Sequence, residues 1–346
     1  MTLAPGTPWT RDLLGDAEIE ALFAEAPQTA LLRRIEIAFL EAQGEVGVLS
    51  ADAVATACAA IADASLNPDA LRDGTARDGV VVPALAAALG AQTEIAHAGL
   101  TSQDVIDAAA ILTAREVDRI LATRLHAVAD LIDGLSVRFG DRAMGGRTRM
   151  QLANPIRVAD RLRTWRDPLD RQAARLAQVS SDLAEWGGGG ADGTGLRVER
   201  AAAVSAAMTR RLGLEPGPPR HSERDGWAAY GACLAGVAGS AGKIGLDLTL
   251  MAQQGVDDAL LSGGGASSAM PHKVNPVAAE TAVALARHAA TLSAGMQHAL
   301  LHEQERSGTA WMLEWMALPQ LQIAAGAALR HVVVALGDVE QLGQES

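Results

Sequence analysis

The chain has 346 residues, 49% of them hydrophobic and 20% charged, which is the balance of a folded globular protein. Its formal charge of −12 excludes the basic face that broad nucleic-acid binding requires, so any anion site has to be local, built from a few Arg, Lys and backbone N–H groups. Two cysteines, Cys58 and Cys233, make neither a disulfide framework nor a zinc cluster and read as buried free thiols in helices.

The N-terminus, Met1 to Trp9, lacks the basic-then-apolar pattern of a secretion signal, and the longest apolar run, Val80 to Leu89, is too short to span a bilayer. The expectation is a soluble cytoplasmic protein with no membrane partner. Aromatic residues are only 3% of the chain, so the core must be built from small and aliphatic side chains, which suits closely packed helices. Strand-like alternation is nearly absent.

In chain order, Asp16 to Leu71 reads as helices separated by short polar turns, with Ser50 a candidate N-cap. Asn67 to Asp78 is rich in breakers and reads as a loop. A first helical domain is expected to end near residue 95. Val117, Ile120, Leu121, Leu125, Val128, Leu131, Ile132 and Leu135 then recur at helical spacing. Arg157 to Val179 reads as a helix that Pro168 would kink or divide. Trp227, Tyr230, Leu234, Val237, Ala241, Ile244, Leu248 and Met251 form a seam of alternating three- and four-residue steps, the pattern of one long packed helix. Ala278 to Gln304 reads as a further helix. The predicted fold is all-α: an N-terminal helical domain (1–95), a central bundle of long helices (96–335) and a tail (336–346). Apolar seams left over in the bundle predict self-association. Three segments interrupt the helical text, at 96–107, 186–195 and 257–276, and chemistry tends to reside on such loops.

The segment Ser262-Gly-Gly-Gly-Ala-Ser-Ser-Ala-Met-Pro-His-Lys-Val-Asn-Pro276 offers a glycine-rich stretch, two hydroxyls and a stiffened far end just before a helix start near Val277. Free helix N–H groups beside Lys273 would hold a carboxylate while a serine exchanges a proton with carbon. Taken alone, the same composition also describes a flexible polar linker. His97-Ala-Gly-Leu-Thr-Ser-Gln-Asp104 reads by itself as a capped helix start, with Thr101 or Ser102 capping and Asp104 in the first turn. The run Gly187-Gly-Gly-Gly-Ala-Asp-Gly-Thr194 has no following Lys-Ser/Thr pair and is no P-loop. His126, His288, His298 and His331 show no metal-ligand grouping, so no metal is expected. Trp311 and Trp315 serve equally well as helix-packing anchors.

Several of these segments together resemble the fumarase/aspartase superfamily. Ala266-Ser-Ser-Ala-Met-Pro-His-Lys-Val-Asn-Pro276 is similar to its signature loop Gly-Ser-Ser-x-Met-Pro-x-Lys-x-Asn-Pro, with Ala266 the one departure. His97 to Asp104 resembles its His-x-Gly-x-Thr-Ser-x-Asp segment. Met144 to Pro155 resembles Gly-Arg-Thr-His-x-Gln-x-Ala-x-Pro, except that Arg149 stands where fumarase-like and succinyl-transferring members usually place histidine. The run at 187–194 is similar to a Gly-Gly-Ala-x-Gly-Thr turn. His221-Ser-Glu-Arg-Asp225, Gly242 to Asp247 and above all Glu303 to Pro319 resemble the bacterial 3-carboxy-cis,cis-muconate cycloisomerases.

The resemblance implies the L-aspartase-like fold, with the usual C-terminal domain shortened or absent, and catalysis without metal or organic cofactor. It assigns Ser267 to proton transfer at carbon, and Thr101, Ser102, Lys273, Asn275 and Arg306 to substrate carboxylates. His97, Arg147, Thr148, Arg149 and Gln151 join the substrate-binding set by the same resemblance. His221, Ser268, Met270, His272 and Thr194 fall to the lining. It further implies a polycarboxylate substrate, a homotetramer whose active sites are shared between subunits, and lactonisation of 3-carboxy-cis,cis-muconate in protocatechuate breakdown by the β-ketoadipate pathway. A fumarate-releasing lyase related to adenylosuccinate lyase, and a catalytically silent structural homologue, are the alternatives.

Overall fold

The computed structural model describes residues 7–90, 93–266, 270 and 273–344. Short N-terminal helices α1 (Arg11–Leu14) and α2 (Ala17–Leu22) precede α3 (Glu25–Val46), α4 (Ala51–Asp63), α5 (Pro68–Asp78) and α6 (Val82–Gly90). Next come α7 (Ser102–Phe139), the hairpin β1 (Ala143–Thr148) and β2 (Gln151–Arg157), and α8 (Val158–Leu183). The two-residue strands β3 (Glu185–Trp186) and β4 (Glu215–Pro216) flank α9 (Ala201–Leu212), and α10 (Asp225–Met251) follows. The remaining elements are β5 (Ala259–Leu261), β6 (Gly265–Ala266), β7 (Val274–Asn275), α11 (Val277–His298), α12 (Thr309–Gly337) and β8 (Val339–Leu342). The chain is mainly helical, as the composition predicts.

Cap chemistry sets several boundaries. Ser50 accepts the Ala53 N–H at 3.3 Å, as expected of an N-cap. The segment 67–78, expected to be a loop, is instead helix α5, because its breakers stand where a helix end tolerates them. Asn67 caps Asp69 N–H at 3.0 Å, Pro68 occupies the first turn, where no amide partner is needed, and Gly79 closes the helix at φ +76°. Pro168 does not divide α8. Leu162 and Trp165 before it and Leu169 and Leu176 after it enter the same core, so packing carries the helix through the missing donor.

Contacts along the long helices fix their directions. Asp107 and Asp118 of α7 meet Arg224 and Tyr230, at the start and early turns of α10, so these two helices run the same way. Glu314 and Gln322 of α12 meet the same two residues in the same order, which makes α12 parallel to both. Trp165 and Gln172 of α8 meet Asp247 and Ser240 in reverse order. In α11, Ala279 lies against Gly245 and Met296 against Gly231, also in reverse. The bundle therefore has three helices rising and two descending. A Cβ on Gly242 would lie 2.4 Å from that of Ala286, so the α10–α11 seam closes on backbone rather than on large side chains. The abundant small residues have their structural use there. Helix α12 is long and apolar enough to cross a bilayer, yet 72% of its apolar window is buried inside this bundle.

The middle of the bundle holds one ionisable group at a cost. Burial raises the Asp118 carboxyl to about 6, and hydrogen bonds from Ser180 and Tyr230 only partly offset it. The Tyr230 hydroxyl donates to Asp118 at 2.7 Å and accepts from Gln322 at 3.2 Å. With its folded-state value above the unfolded one, Asp118 keeps its proton in the native state while the unfolded chain ionises. Stability therefore falls as pH rises from about 4 to about 6 and stays lower above that window. Asp118→Asn should remove this slope and raise stability at neutral pH by on the order of 2–3 kcal/mol. Urea unfolding at pH 4 and pH 7.5 checks it, and an unchanged pH dependence would sink the assignment.

The hairpin is the main exception to the helical reading. Thr148 pairs with Gln151, leaving the two-residue turn Arg149-Met150 with φ of +49° and +66°. Both angles lie in the left-handed region that a tight hairpin turn of this handedness needs and that Asn-Gly ordinarily supplies. Two large exposed side chains hold the tip in a costly conformation. Met150→Gly should raise the melting temperature and Met150→Val lower it, the two differing by about 1–3 kcal/mol. Equal melting temperatures would show the turn to be unstrained.

Candidate active site

The expected site residues gather in two groups. The first lies at the N-terminal end of α7. Thr101 is its N-cap and Ser102 its first residue, and the Thr101 N–H donates to Asp104 at 2.9 Å. Arg306, in the loop between α11 and α12, reaches the same end: its Nε donates to Gln103 at 3.2 Å and its Nη2 to the Gly190 carbonyl at 3.2 Å. The glycine turn 187–195 folds over this point, and Thr194 stands on it, donating to Asp192 at 2.8 Å. His221 is buried beneath the turn, with Nε2 3.0 Å from Asp104. His97, at φ +59°, places Nδ1 2.7 Å from the wholly buried carboxylate of Glu36.

Under this group lies a buried charge cluster that sequence reading passed over. Arg224 gives Nε and Nη2 to Glu314 at 2.8 and 2.6 Å, and Nη1 and Nη2 to Asp107 at 2.7 and 3.1 Å. Burial opposes the Arg224 charge, but Asp107 and Glu314 outweigh it and hold the guanidinium above its ordinary value. Burial likewise raises Glu314, and Arg224 with His302 brings it below the usual carboxylate range. The guanidinium is thus consumed in joining α7, α10 and α12 and is not offered to a ligand. Asp107 and Glu314 carry the only available signal, since neither belongs on an apolar helix face without a cation. Trp311 and Trp315 meet at a tilt of 55° with centroids 4.6 Å apart, and Trp311 is buried as a packing anchor.

The second group lies at the opposite end of the bundle. Arg147, Thr148, Arg149 and Gln151 stand on the exposed hairpin that follows the C-terminus of α7, and Arg147 bonds to Asp258, beyond the C-terminus of α10. Asn275 belongs to the short pairing of β7 with β6, Lys273 immediately precedes that strand, and α11 begins two residues after Asn275, as expected. Lys273 is exposed and Met270 is 43% exposed. Ser267, Ser268 and His272 lie outside the described residues. Helix α7 alone has 38 residues, a length of about 57 Å, so one protomer holds the two groups far apart.

A cavity of about 350 Å³ opens between His221, Arg224, Trp186 and Gly187, beside the first group. A larger one, about 640 Å³, separates the N-terminal helices from α7 and α12 and is lined by Phe23, Leu71, Trp311 and Trp315. Thr101, Ser102 and Arg306 do not line it. The larger of these two cavities is therefore not where the candidate ligands converge.

A family profile described as lyase matches residues 22–290. The 3-carboxy-cis,cis-muconate cycloisomerase of Pseudomonas aeruginosa is 32% identical over 337 residues, covering 94% of this chain and 73% of that enzyme. The enzyme of the same name from Bradyrhizobium diazoefficiens is 34% identical over 343 residues, covering 94% and 75%. The crystal structure of the 3-carboxy-cis,cis-muconate lactonizing enzyme from Pseudomonas putida superimposes with a TM-score of 0.86 at 27% identity, covering 94% of this chain and 76% of that one. The chain belongs to the lyase family of the fumarase/aspartase superfamily and is similar to its 3-carboxy-cis,cis-muconate cycloisomerases.

Proposed function

We propose that the protein lactonises 3-carboxy-cis,cis-muconate to the carboxymuconolactone, a step of protocatechuate breakdown, as a soluble cytoplasmic homo-oligomer. The observation that carries this reading is the 32–34% identity, over 94% of the chain, to enzymes named for that reaction. Arg149 agrees with it. A guanidinium keeps its charge at neutral pH and clamps an anion instead of shuttling the proton that a fumarate-releasing lyase needs at that position.

In this reaction one substrate carboxylate attacks the conjugated alkene, so the protein supplies no nucleophile. Negative charge moves onto the neighbouring carbon and its carboxylate, giving an enolate-like species that must be held and then protonated. Lys273 and Asn275 hold that charge where it develops, while Arg306 and the hydroxyls of Thr101 and Ser102 hold a substrate carboxylate that stays ionised throughout. Arg149, with Arg147, Thr148 and Gln151, clamps the distal carboxylate from the hairpin. Ser267 delivers the proton. Since one protomer keeps the two groups at opposite ends of a long bundle, a working site needs contributions from more than one copy, and a tetramer satisfies this.

Purified protein is incubated with 3-carboxy-cis,cis-muconate and the loss of diene absorbance followed, with adenylosuccinate in parallel. Lactone formation supports the reading, and fumarate release from adenylosuccinate alone overturns it. Ser267→Ala should lower kcat by about 10²–10⁴-fold with the fold and assembly intact, and unchanged turnover would remove the proton-transfer role. Ser267→Ala and Arg306→Ala, each inactive, should regain activity when denatured together and refolded, with roughly a quarter of sites unaltered by random assortment. No recovery in the mixture would place both residues in one protomer's site.

A further inference from the structure

Asp104 is wholly buried, and its two oxygens collect donors from three separate segments. Oδ1 takes the Gly189 N–H at 2.7 Å and faces His221 Nε2 at 3.0 Å, while Oδ2 takes the N–H groups of Thr101 at 2.9 Å and Gly190 at 3.1 Å. The carboxylate already accepts three backbone N–H groups, which places His221 Nε2 as its fourth donor. Nδ1 of the same ring is buried with no partner among the described residues.

The glycine turn is shaped around this ring. A Cβ on residue 189 would lie 2.5 Å from His221 Cε1, and Gly190 takes φ +62°. From here the bonds return to the substrate end. The His221 carbonyl accepts Gln103 Nε2 at 2.7 Å, Gln103 Oε1 accepts Arg306 Nε at 3.2 Å, and Arg306 Nη2 donates to the Gly190 carbonyl at 3.2 Å. The circuit Asp104–His221–Gln103–Arg306–Gly190–Asp104 is closed. Arg306 and the helix start bearing Thr101 and Ser102 are therefore held by one hydrogen-bonded ring, in which the His221 side chain supplies the link to Asp104.

We propose that Asp104 and His221 form a positioning dyad, which locks the glycine turn onto the N-terminus of α7 and sets the placement of Arg306 relative to Thr101 and Ser102. This rests on reading those three residues as carboxylate ligands. His221 acts through them and through the turn, since its ring is buried against residues 189 and 193. Such ligands grip substrate and transition state alike, so misplacing them raises KM more than it lowers kcat.

The decisive comparison is His221→Leu, which removes the Nε2 donor, against His221→Gln, whose side-chain amide restores a donor at that position. His221→Leu should raise KM for 3-carboxy-cis,cis-muconate about tenfold, the worth of one charge-assisted hydrogen bond, with kcat within about threefold. His221→Gln should return KM to near the wild-type value. Gly189→Ala, which drives the ring off Asp104 while keeping the histidine, should repeat the leucine phenotype. Amide hydrogen exchange of the 186–195 segment supplies a readout that needs no turnover: it should accelerate at least about tenfold in His221→Leu and not in His221→Gln. Unchanged KM and exchange in His221→Leu would overturn the dyad, and so would equal defects in the leucine and glutamine variants. Wild-type protein inert toward muconate would refute the functional reading alone, and the exchange comparison would then decide the dyad by itself.

Discussion

The structure depends first on a charge that cannot be left unpaired. Arg224 sits where three parallel helices begin, and its guanidinium is spent on Asp107 of α7 and Glu314 of α12. Buried ion clusters contribute little net stability over an apolar alternative, because desolvation consumes most of the attraction. They are exacting about geometry, however, since a missing or displaced partner leaves a bare charge in the core. This cluster fixes the relative heights of α7, α10 and α12, which apolar packing alone would leave free to slip by a turn. The first group of site residues stands directly above it, on the same helix ends.

The long helices were legible because their seams repeat: the Trp227 to Met251 series and the Val117 to Leu135 series both lie on single helices, α10 and α7. The start of α11 was legible from Pro276. Segment 67–78 was misread because its breakers were counted without regard to position, when Asn67, Pro68 and Gly79 are the end-caps of a helix. The hairpin at 143–157 escaped detection because Arg-Met replaces the usual turn pair, β2 is exposed, and β1 buries only Met144 and Gly146, too short an alternation to mark a strand.

Of the candidate site, the motifs identified which residues to follow, and their spacing said nothing of their separation. Thr101, His221 and Arg306 do converge, through hydrogen bonds to Gln103, Asp104 and the glycine turn, with Ser102 beside them as the first residue of α7. Gln103 was legible only as a member of a helix start, and Asp104 as that and as a motif position without a role, because a polar first turn caps a helix whether or not it also orders a site. Among the described residues, the side chains of Arg147 to Gln151 bond to nothing outside their own hairpin except Asp258. A strained, solvent-facing tip carrying a guanidinium is organised before any ligand or neighbour arrives, and the surrounding two-residue turn has no slack with which to adapt.

The bundle also acts as a ruler. Helices α7, α10 and α12, of 38, 27 and 29 residues, carry one set of site residues at their beginnings and lead to the hairpin, the signature loop and β8 at their ends. One residue inserted into any of them would advance its far end by about 1.5 Å and turn it by about 100° relative to its neighbours. The clamp at Arg224 would hold the near end fixed, so all of that error would emerge at the other. A length change that keeps both ends in register therefore has to fall in the connecting loops or come in whole turns across three helices at once, which makes the separation between the two groups a nearly fixed dimension.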